Sequence, residues 1–387
     1  MSAAYDVAVI GGGLVGAWTA YFLARRGKRV ALLEKGCVGA QSSGVNFGNL
    51  RLQGRFPGQY PLSLRAQELW ERLPDLIGAD CEYERTGHLY CAFDALEADK
   101  LEGYAQVCDA HGLTIERLQE GDLARRFPWL SPRVFAATFS ARDAVANPRL
   151  VTPAVVTAAR ALGVEAFEGW EALEGARAGD GFTLRARDGR RLSCGQLVNA
   201  AGAWAVEIAR WFGEEAPAFA AGPPQFVTEP LPYFLRPSLQ TIDGSVIARQ
   251  IPRGNVIFAG YPRTAADPRA NRAPVPPVKT LAGMAALGSL VPSLRRAQLI
   301  RVWSGIEAYL PDMIPVIGPS ETTPGLHHAF GFCGHGFQIG PGVGLCLSEM
   351  ICDGATPTPL QPFAIGRFRG GVETSDKFRK EFDAPAR

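Results

Sequence analysis

Apolar residues follow two rhythms along this chain, and the switches between them outline its elements. Val7, Ala8, Val9 and Ile10 form a short continuous apolar run, the pattern of a parallel strand buried on both faces. Glycines interrupt it, and LVGAWTAYFLARR then predicts a helix that Gly27 ends, followed by a second strand, RVALLE, closing on Glu34. VTPAVVTAARALG has the spacing of an amphipathic helix leading into a strand. Gln196 to Asn199 predict a further strand opening onto Ala200, Ala201 and Gly202 before another helix. CEYERTGHLYCAF and the stretch from Phe226 to Pro262 are rich in β-formers with turn breaks, which predicts an antiparallel sheet. Prolines between Pro268 and Pro277 read as a connection ahead of the helix VKTLAGMAALGSLV. The charged, aperiodic stretch after Phe368 reads as a mobile or partner-facing tail.

Composition narrows the classes. With 387 residues, 47% hydrophobic and 20% charged, the chain can bury a large core and is no disordered segment. Lys+Arg number 40 against 38 Asp+Glu, a net +2 that gives no surface for a polyanion, so nucleic acid is not an expected partner. Eight scattered cysteines (Cys37, Cys81, Cys91, Cys108, Cys194, Cys333, Cys346, Cys352) show no Cys-x-x-Cys spacing, which excludes a cluster or zinc ribbon of that kind and predicts reduced, mostly buried thiols. The N-terminal apolar stretch lacks a basic leader and no other run is long enough to span a bilayer. The expectation is a soluble, cytoplasmic protein without stable membrane insertion.

The glycines after the first strand carry chemistry. Gly11, Gly13 and Gly16 have the Gly-x-Gly-x-x-Gly spacing: a tight turn, room for a pyrophosphate against the main chain, and close approach of helix to strand, with the helix N-terminus supplying amide donors. Glu34 ends the second strand where a carboxylate takes ribose hydroxyls, which favours NAD or FAD over a 2′-phosphate, and Lys35 adjoins it. The segment beyond Lys35 is small and polar, with Ser42, Ser43, Gly44 and Asn46. This suits a loop wrapping a phosphate and a ring system, and equally a surface loop. Ala201 and Gly202, with Trp204 beyond them, mark a second close approach at a strand-to-helix junction.

Together with NFGNLR, VNAAGAWA, VWSGIEAYLPDMIPVIGP and GFCGHGFQIGPGVG, these motifs make nearly the whole chain resemble the D-amino-acid oxidase, glycine oxidase and sarcosine oxidase superfamily, nearest within it to the bacterial D-hydroxyproline dehydrogenases. The resemblance implies non-covalent FAD and an α/β (α+β overall) D-amino-acid oxidase-like fold. A Rossmann-like FAD-binding domain (residues 1–80, 146–215 and 319–387) would be interleaved with an antiparallel-sheet substrate domain (81–145 and 216–318). It places Gly334, His335, Gly336, Phe337 and Gln338 beside the flavin and leaves Gly340, Gly342 and Gly344 for close helix packing. It implies oxidation of an amine by hydride transfer from the α-carbon to flavin. The first-choice substrate is cis-4-hydroxy-D-proline; D-proline, sarcosine and glycine are alternatives, as is a non-catalytic FAD-binding subunit. Oxygen or a downstream carrier, and partner subunits, would take the electrons.

The substrate carboxylate needs a cation, and Arg51 and Arg55 stand where relatives carry arginines facing flavin and substrate; Arg249 and Arg253 are weaker choices. Two departures qualify the resemblance. Glu307 occupies the position where glycine-oxidase-like relatives clamp the carboxylate with Arg, so it takes a substrate ammonium or hydroxyl or pairs with a local Arg. Gln338 replaces a Lys of the monomeric sarcosine oxidases, and Gly305 stands where those carry the flavin-linking cysteine. Tyr261 and Tyr309 are expected pocket walls, and His327 and His328 are expected at the surface.

Overall fold

The strand Tyr5–Ile10 lies inside an eight-stranded sheet of the computed structural model, which describes residues 4–260 and 262–382. It pairs in parallel with Val30–Leu33 on one side (Val7 opposite Val30) and with Arg191–Asn199 on the other (Ile10 opposite Asn199). Glu165–Phe167 and Leu326–Phe330 extend the parallel set outward, and Val316–Pro319 closes one edge antiparallel. Val7 and Val9 face a core shared with the helices Leu14–Arg25, Pro148–Ala161 and Gly336–Asp353. Ala8 and Ile10 face a second core that includes Phe182, Ile208 and Phe212. Burial on both faces explains why the run lacks polar alternation.

Two of those helices lie unusually close, because glycines face the contact. A Cβ at Gly344 would sit 2.6 Å from Trp18 Cβ and 2.7 Å from Thr19 N, and one at Gly340 would sit 2.7 Å from Leu14 Cδ2. Gly342 faces a third helix, Tyr60–Glu71, at 3.0 Å from Ala66 Cβ. All three glycines therefore serve packing.

The second eight-stranded sheet runs in the order Leu299–Trp303, Gln225–Pro230, Asn255–Ala259, Ile247–Gln250, Ser238–Thr241, His88–Ala92, Ala136–Ser140, Glu116–Gln119. It departs from the expected pure antiparallel pattern at one place: Ser238–Thr241 pairs in parallel with His88–Ala92. Those strands come from distant parts of the chain, so no hairpin dictates their direction. Within CEYERTGHLYCAF only His88–Ala92 is strand, since Cys81 and Glu82 turn the chain with φ of 50° and 55°. A small third sheet (Thr264–Ala265, Phe219–Gly222, Glu307–Tyr309) stands apart from both large ones.

The stretch after Phe368 is not a loose tail over its described part. Asp376–Glu381 is helical, and Phe378 and Phe382 pack on Phe219 with ring centroids 5.0 and 4.7 Å apart. Of the eight cysteines, all free, six are buried. Among the described residues no helix is long and apolar enough to cross a membrane.

Substituting Gly344→Ala forces the two helices apart and is expected to cost about 1–3 kcal/mol in denaturant unfolding, the range for overpacking a tight contact. Gly103→Ala, in the helix Ala95–Ala110 with open space around it, is expected to be neutral or to stabilise by up to about 1 kcal/mol.

Candidate active site

Three strand ends meet at one edge of the parallel sheet. Tyr5–Ile10, Arg191–Asn199 and Leu326–Phe330 run the same way, so the turns after them, Gly11–Gly13, Ala200–Gly202 and Gly331–Gly336, open on one side. Ligands bind outside the carboxyl ends of strands in such sheets. The three turns line one cavity of about 340 Å³, within the usual range of roughly 300–1,000 Å³ for ligand clefts.

The glycine fingerprint divides its work there. Gly11, with φ +110°, would place a Cβ 2.3 Å from Ala200 O, and Gly16 would place one 2.0 Å from Gly11 O, so these two hold the turn against strand and helix. Gly13 faces the cavity, where a Cβ would meet only Ser43 Oγ at 3.0 Å. Glu34 accepts the amides of Gly12 and Gly36, both at 2.8 Å, and presents its carboxylate to the cavity. Lys35 Nζ lies 3.0 Å from the Trp204 ring centroid, and burial lowers its pKa. Both residues line the cavity, and Trp204 Nε1 donates to Pro268 O at 3.0 Å.

The small polar stretch after Lys35 is partly helical, over Ser42–Val45, where a loop was expected. Ser43 Oγ accepts the amide of Leu14 at 2.8 Å, and Asn46 Nδ2 donates to Ser43 O at 2.7 Å, which ties the segment to the fingerprint helix. Ser42, Ser43 and Asn46 border the cavity; Gly16, Gly44 and Gly305 do not. Gly44 serves a close approach to Gly39 O (2.2 Å from a built Cβ), and Gly305 to Val45 Cγ2 (2.5 Å).

The third turn explains its glycines individually. Gly331, Cys333 and Gly334 all have left-handed φ (+71°, +52° and +76°). Cβ atoms at Gly331 and Gly336 would strike Leu310 (2.4 Å) and Phe332 (2.9 Å), so those glycines fit the turn to the protein. At Gly334 a Cβ would approach only Arg263 (3.2 Å) and Glu307 (3.9 Å), side chains that line the cavity. His335, Gly336 and Phe337 line it too. Gln338 points elsewhere: its Nε2 donates to Ser63 O at 2.9 Å, because the helix turns that position toward Tyr60–Glu71. The expected flavin-side role for its side chain is therefore withdrawn.

Opposite these turns the cavity is lined by Arg51, Arg55, Arg263 and Glu307. Arg51 donates to Gln53 O and lies 5.5 Å over the Tyr90 ring; Arg55 donates twice to Arg51 O, at 2.9 and 2.6 Å. Both guanidiniums are buried, and among the described residues neither has a carboxylate within ion-pair distance. Burial, then the charge of Arg51, pushes Arg55 down to about 9. Behind them lies Asp143, fully buried, its carboxylate accepting from Ser140 Oγ at 2.7 Å. Burial pushes Asp143 up to about 6, although Ser140 and both arginines pull the other way. His88 lies on the same side with Nδ1 2.8 Å from Ser238 Oγ, and burial and both arginines hold it well below its usual range.

Glu307 sits on the small third sheet and accepts the Tyr309 hydroxyl. Tyr309 is buried behind it against Phe219 and Phe382 and does not wall the cavity, while Tyr261 lies outside the described residues. Arg249 is buried off the cavity, 5.6 Å over Phe47, with its pKa pushed down to about 10 by burial; Arg253 is exposed in a turn. His327 and His328 are not at the surface. Both belong to the buried strand Leu326–Phe330, and His328 Nε2 lies 2.7 Å from Glu214 Oε2. Two adjacent histidines in an otherwise apolar strand mark an internal polar contact. Sequence reasoning missed Arg263 and Asp143; each is a lone charge beside short β segments, and only the fold reveals what surrounds it.

Strand, glycine turn, helix and acid-tipped second strand, with two further turns from separate parts of the chain, define a dinucleotide-binding flavoprotein of the discontinuous kind. The residues fit FAD: a fixed carboxylate for the ribose, the Leu14–Arg25 N-terminus for the pyrophosphate, and a second helix N-terminus at Gly336. The family model for FAD dependent oxidoreductases (DAO) matches residues 6–350, and the chain belongs to that family. It is 28% identical to a glycine oxidase of Geobacillus kaustophilus over 382 residues, covering 96% of this chain and 99% of the relative. It is 26% identical to the sarcosine oxidase subunit beta of Rhizobium meliloti, covering 96% and 90%. The structure of an L-proline dehydrogenase from P. horikoshii superposes with a TM-score of 0.89 at 24% identity, covering 95% of this chain and 99% of that one, which shows the shared fold. The protein is thus an FAD-dependent oxidoreductase.

Glu34→Ala removes the charged acceptor and is expected to raise the FAD dissociation constant about 10- to 100-fold, read by flavin fluorescence. Asp143 binds its proton more tightly folded than unfolded. The stability linked to that proton is present below the usual carboxylate range and lost as pH rises through about 6. The stability of the native protein relative to Asp143→Asn is therefore expected to fall across that window in parallel unfolding titrations.

Proposed function

We propose that this enzyme oxidises the C–N bond of a small amino acid, with cis-4-hydroxy-D-proline the first substrate to test and D-proline, sarcosine and glycine next. One observation carries the reading: two buried guanidiniums, Arg51 and Arg55, line the cavity, and among the described residues neither has a carboxylate within ion-pair distance. Buried charge without a counter-ion is costly, and a bound carboxylate supplies the missing partner with charge-assisted, two-pronged hydrogen bonds. Clamping at Arg51 and Arg55 accounts for Glu307 at a position where relatives carry Arg. A carboxylate held there by Tyr309 suits the substrate's amine or hydroxyl instead. The named relatives, a glycine oxidase and a sarcosine oxidase subunit, act on small amino acids by their names, which supports the size class.

When bound, FAD would supply the two-electron acceptor for oxidation at the carbon next to nitrogen. The chain's own residues orient the substrate: Arg51 and Arg55 fix the carboxylate and Glu307 meets the nitrogen side. FAD is held without a covalent bond in this reading, since glycine stands at position 305. The electrons then pass to oxygen or to a carrier, and the "subunit" in one relative's name makes partner subunits part of the proposal.

The test is anaerobic mixing of FAD-loaded protein with D- and L-proline, cis-4-hydroxy-D-proline, sarcosine, glycine and D-alanine while following flavin absorbance. Bleaching by hydroxy-D-proline and not by the others supports the full reading, and admitting air then separates oxidase from dehydrogenase. A flavin that none of them bleaches overturns the small-amino-acid assignment. Arg51→Lys, which loses the planar two-pronged donor, is expected to raise the KM for the bleaching substrate by about 10- to 100-fold with FAD still bound one per chain.

A further inference from the structure

The histidine at the third turn has a lysine for a neighbour. Lys377 Nζ lies 2.8 Å from His335 Nε2. An ammonium has three donors and no acceptor, so Nε2 accepts and the proton of the neutral ring is on Nδ1. The ring is neutral because it is buried and faces four cations, Lys377, Arg55, Arg51 and Arg263. His335 Nδ1 is itself buried and has no hydrogen-bond partner among the described residues, on a side chain that lines the cavity. A buried N–H left this way is costly, so its acceptor is to be sought in what the cavity binds.

Lys377 reaches this place from the C-terminal segment, which three separate contacts hold down. The amide of Ser375 donates to Pro311 O at 2.9 Å, and Ser375 Oγ caps the short helix Asp376–Glu381 by accepting from Phe378 N at 3.1 Å. Phe378 and Phe382 pack on Phe219, and Arg263 forms a strand bridge with Phe382. The segment is thereby seated on the small sheet that carries Glu307.

We propose that Lys377 is a positioning residue that fixes His335 in its Nδ1–H tautomer, so that the ring offers a neutral donor to an acceptor atom of bound FAD and the C-terminal segment completes the cofactor site. The proposal rests on the cavity being the FAD site. Neutral histidine in water favours the other tautomer, with the proton on Nε2, so the arrangement requires the lysine. A neutral donor also suits a site already crowded with cations, where an imidazolium would add repulsion.

The test is ¹⁵N-histidine NMR at neutral pH on the protein without and with FAD, using His335→Asn to assign the signal. Lys377→Met is compared with Lys377→Arg, which keeps a donor. The native protein is expected to show a protonated Nδ1 in both states, Lys377→Met to move the proton to Nε2, and Lys377→Arg to retain the native pattern. The FAD dissociation constant is expected to rise about threefold to tenfold in Lys377→Met and to recover in Lys377→Arg. A native ring protonated on Nε2, or a tautomer that ignores Lys377→Met, overturns the proposal. A tautomer that shifts while FAD affinity and the flavin spectrum do not change overturns its cofactor half. Native protein that binds no FAD at all instead refutes the reading of the cavity, an outcome separate from the tautomer result.

Discussion

The contact between the helices Leu14–Arg25 and Gly336–Asp353 is the constraint on which the site depends. Each helix begins at the carboxyl end of a parallel strand, and the strands are separated in the sheet by one neighbour, Arg191–Asn199. Side chains of ordinary size would hold the helices roughly 8–10 Å apart on their axes. Gly340 and Gly344 let the backbone of one meet Leu14, Trp18 and Thr19 of the other directly. Their N-termini then open on a common cavity, so that two sets of backbone donors from opposite ends of the sequence face one space. The same logic explains why glycines crowd the third turn and helix yet few of them face the cavity: Gly331, Gly340, Gly342 and Gly344 each remove a collision within the protein, whereas a Cβ at Gly334 would meet only the cavity-lining Arg263 and Glu307.

Charge is the second organising element. Arg51, Arg55 and Arg263 line one chamber with Glu307, and Lys377 adds a fifth charge through His335. Asp143, pushed up to about 6 by burial, offsets the arginines from behind only where it is ionised. The chamber thus favours anionic groups at one end, and burial first, then the neighbouring cations, hold His88 and His335 well below their usual range. In the proposed binding mode, a carboxylate held by cations from the Asn49–Leu50 side of the chamber, and a nitrogen held by a carboxylate on the small third sheet, reverse the arrangement that an Arg at position 307 would give. That mode would keep complementarity to a zwitterion, because what matters is that opposite charges stand apart across the cavity, not which strand supplies each.

Much of this was legible in the chain. The strand, turn, helix and acid from Tyr5 to Glu34 could be read because each level of the pattern agrees: an apolar run, fixed glycine spacing, and a terminal carboxylate. Arg51, Arg55 and Glu307 were found through motif context, and they do line one cavity. Side-chain direction was not legible. His335 is the N-cap and Gln338 already lies inside the first helical turn, so a motif that reads as one unit splits between cavity and core. Tyr309 misleads for the matching reason in a strand: it shares a face with Glu307, but burial puts its hydroxyl behind the carboxylate it supports. His327 and His328 looked polar enough for the surface, and only the sheet shows that Glu214 and Asn199 satisfy His328.

The tail was the least legible part. Its charges and lack of period describe a solvated segment, and the aromatic pair Phe378 and Phe382, four apart, is too short a signal to predict docking. Docking arises because Phe219 and Tyr309 on the small sheet form an apolar seat that the two large sheets leave uncovered. Once seated, the segment places an ammonium against a ring nitrogen, and a donor-only partner permits a single tautomer there. Local sequence sets none of this. It depends on the apolar surface that Phe219 and Tyr309 present on the small sheet, and it brings the chain's last described helix to the cavity that its first glycine turn lines.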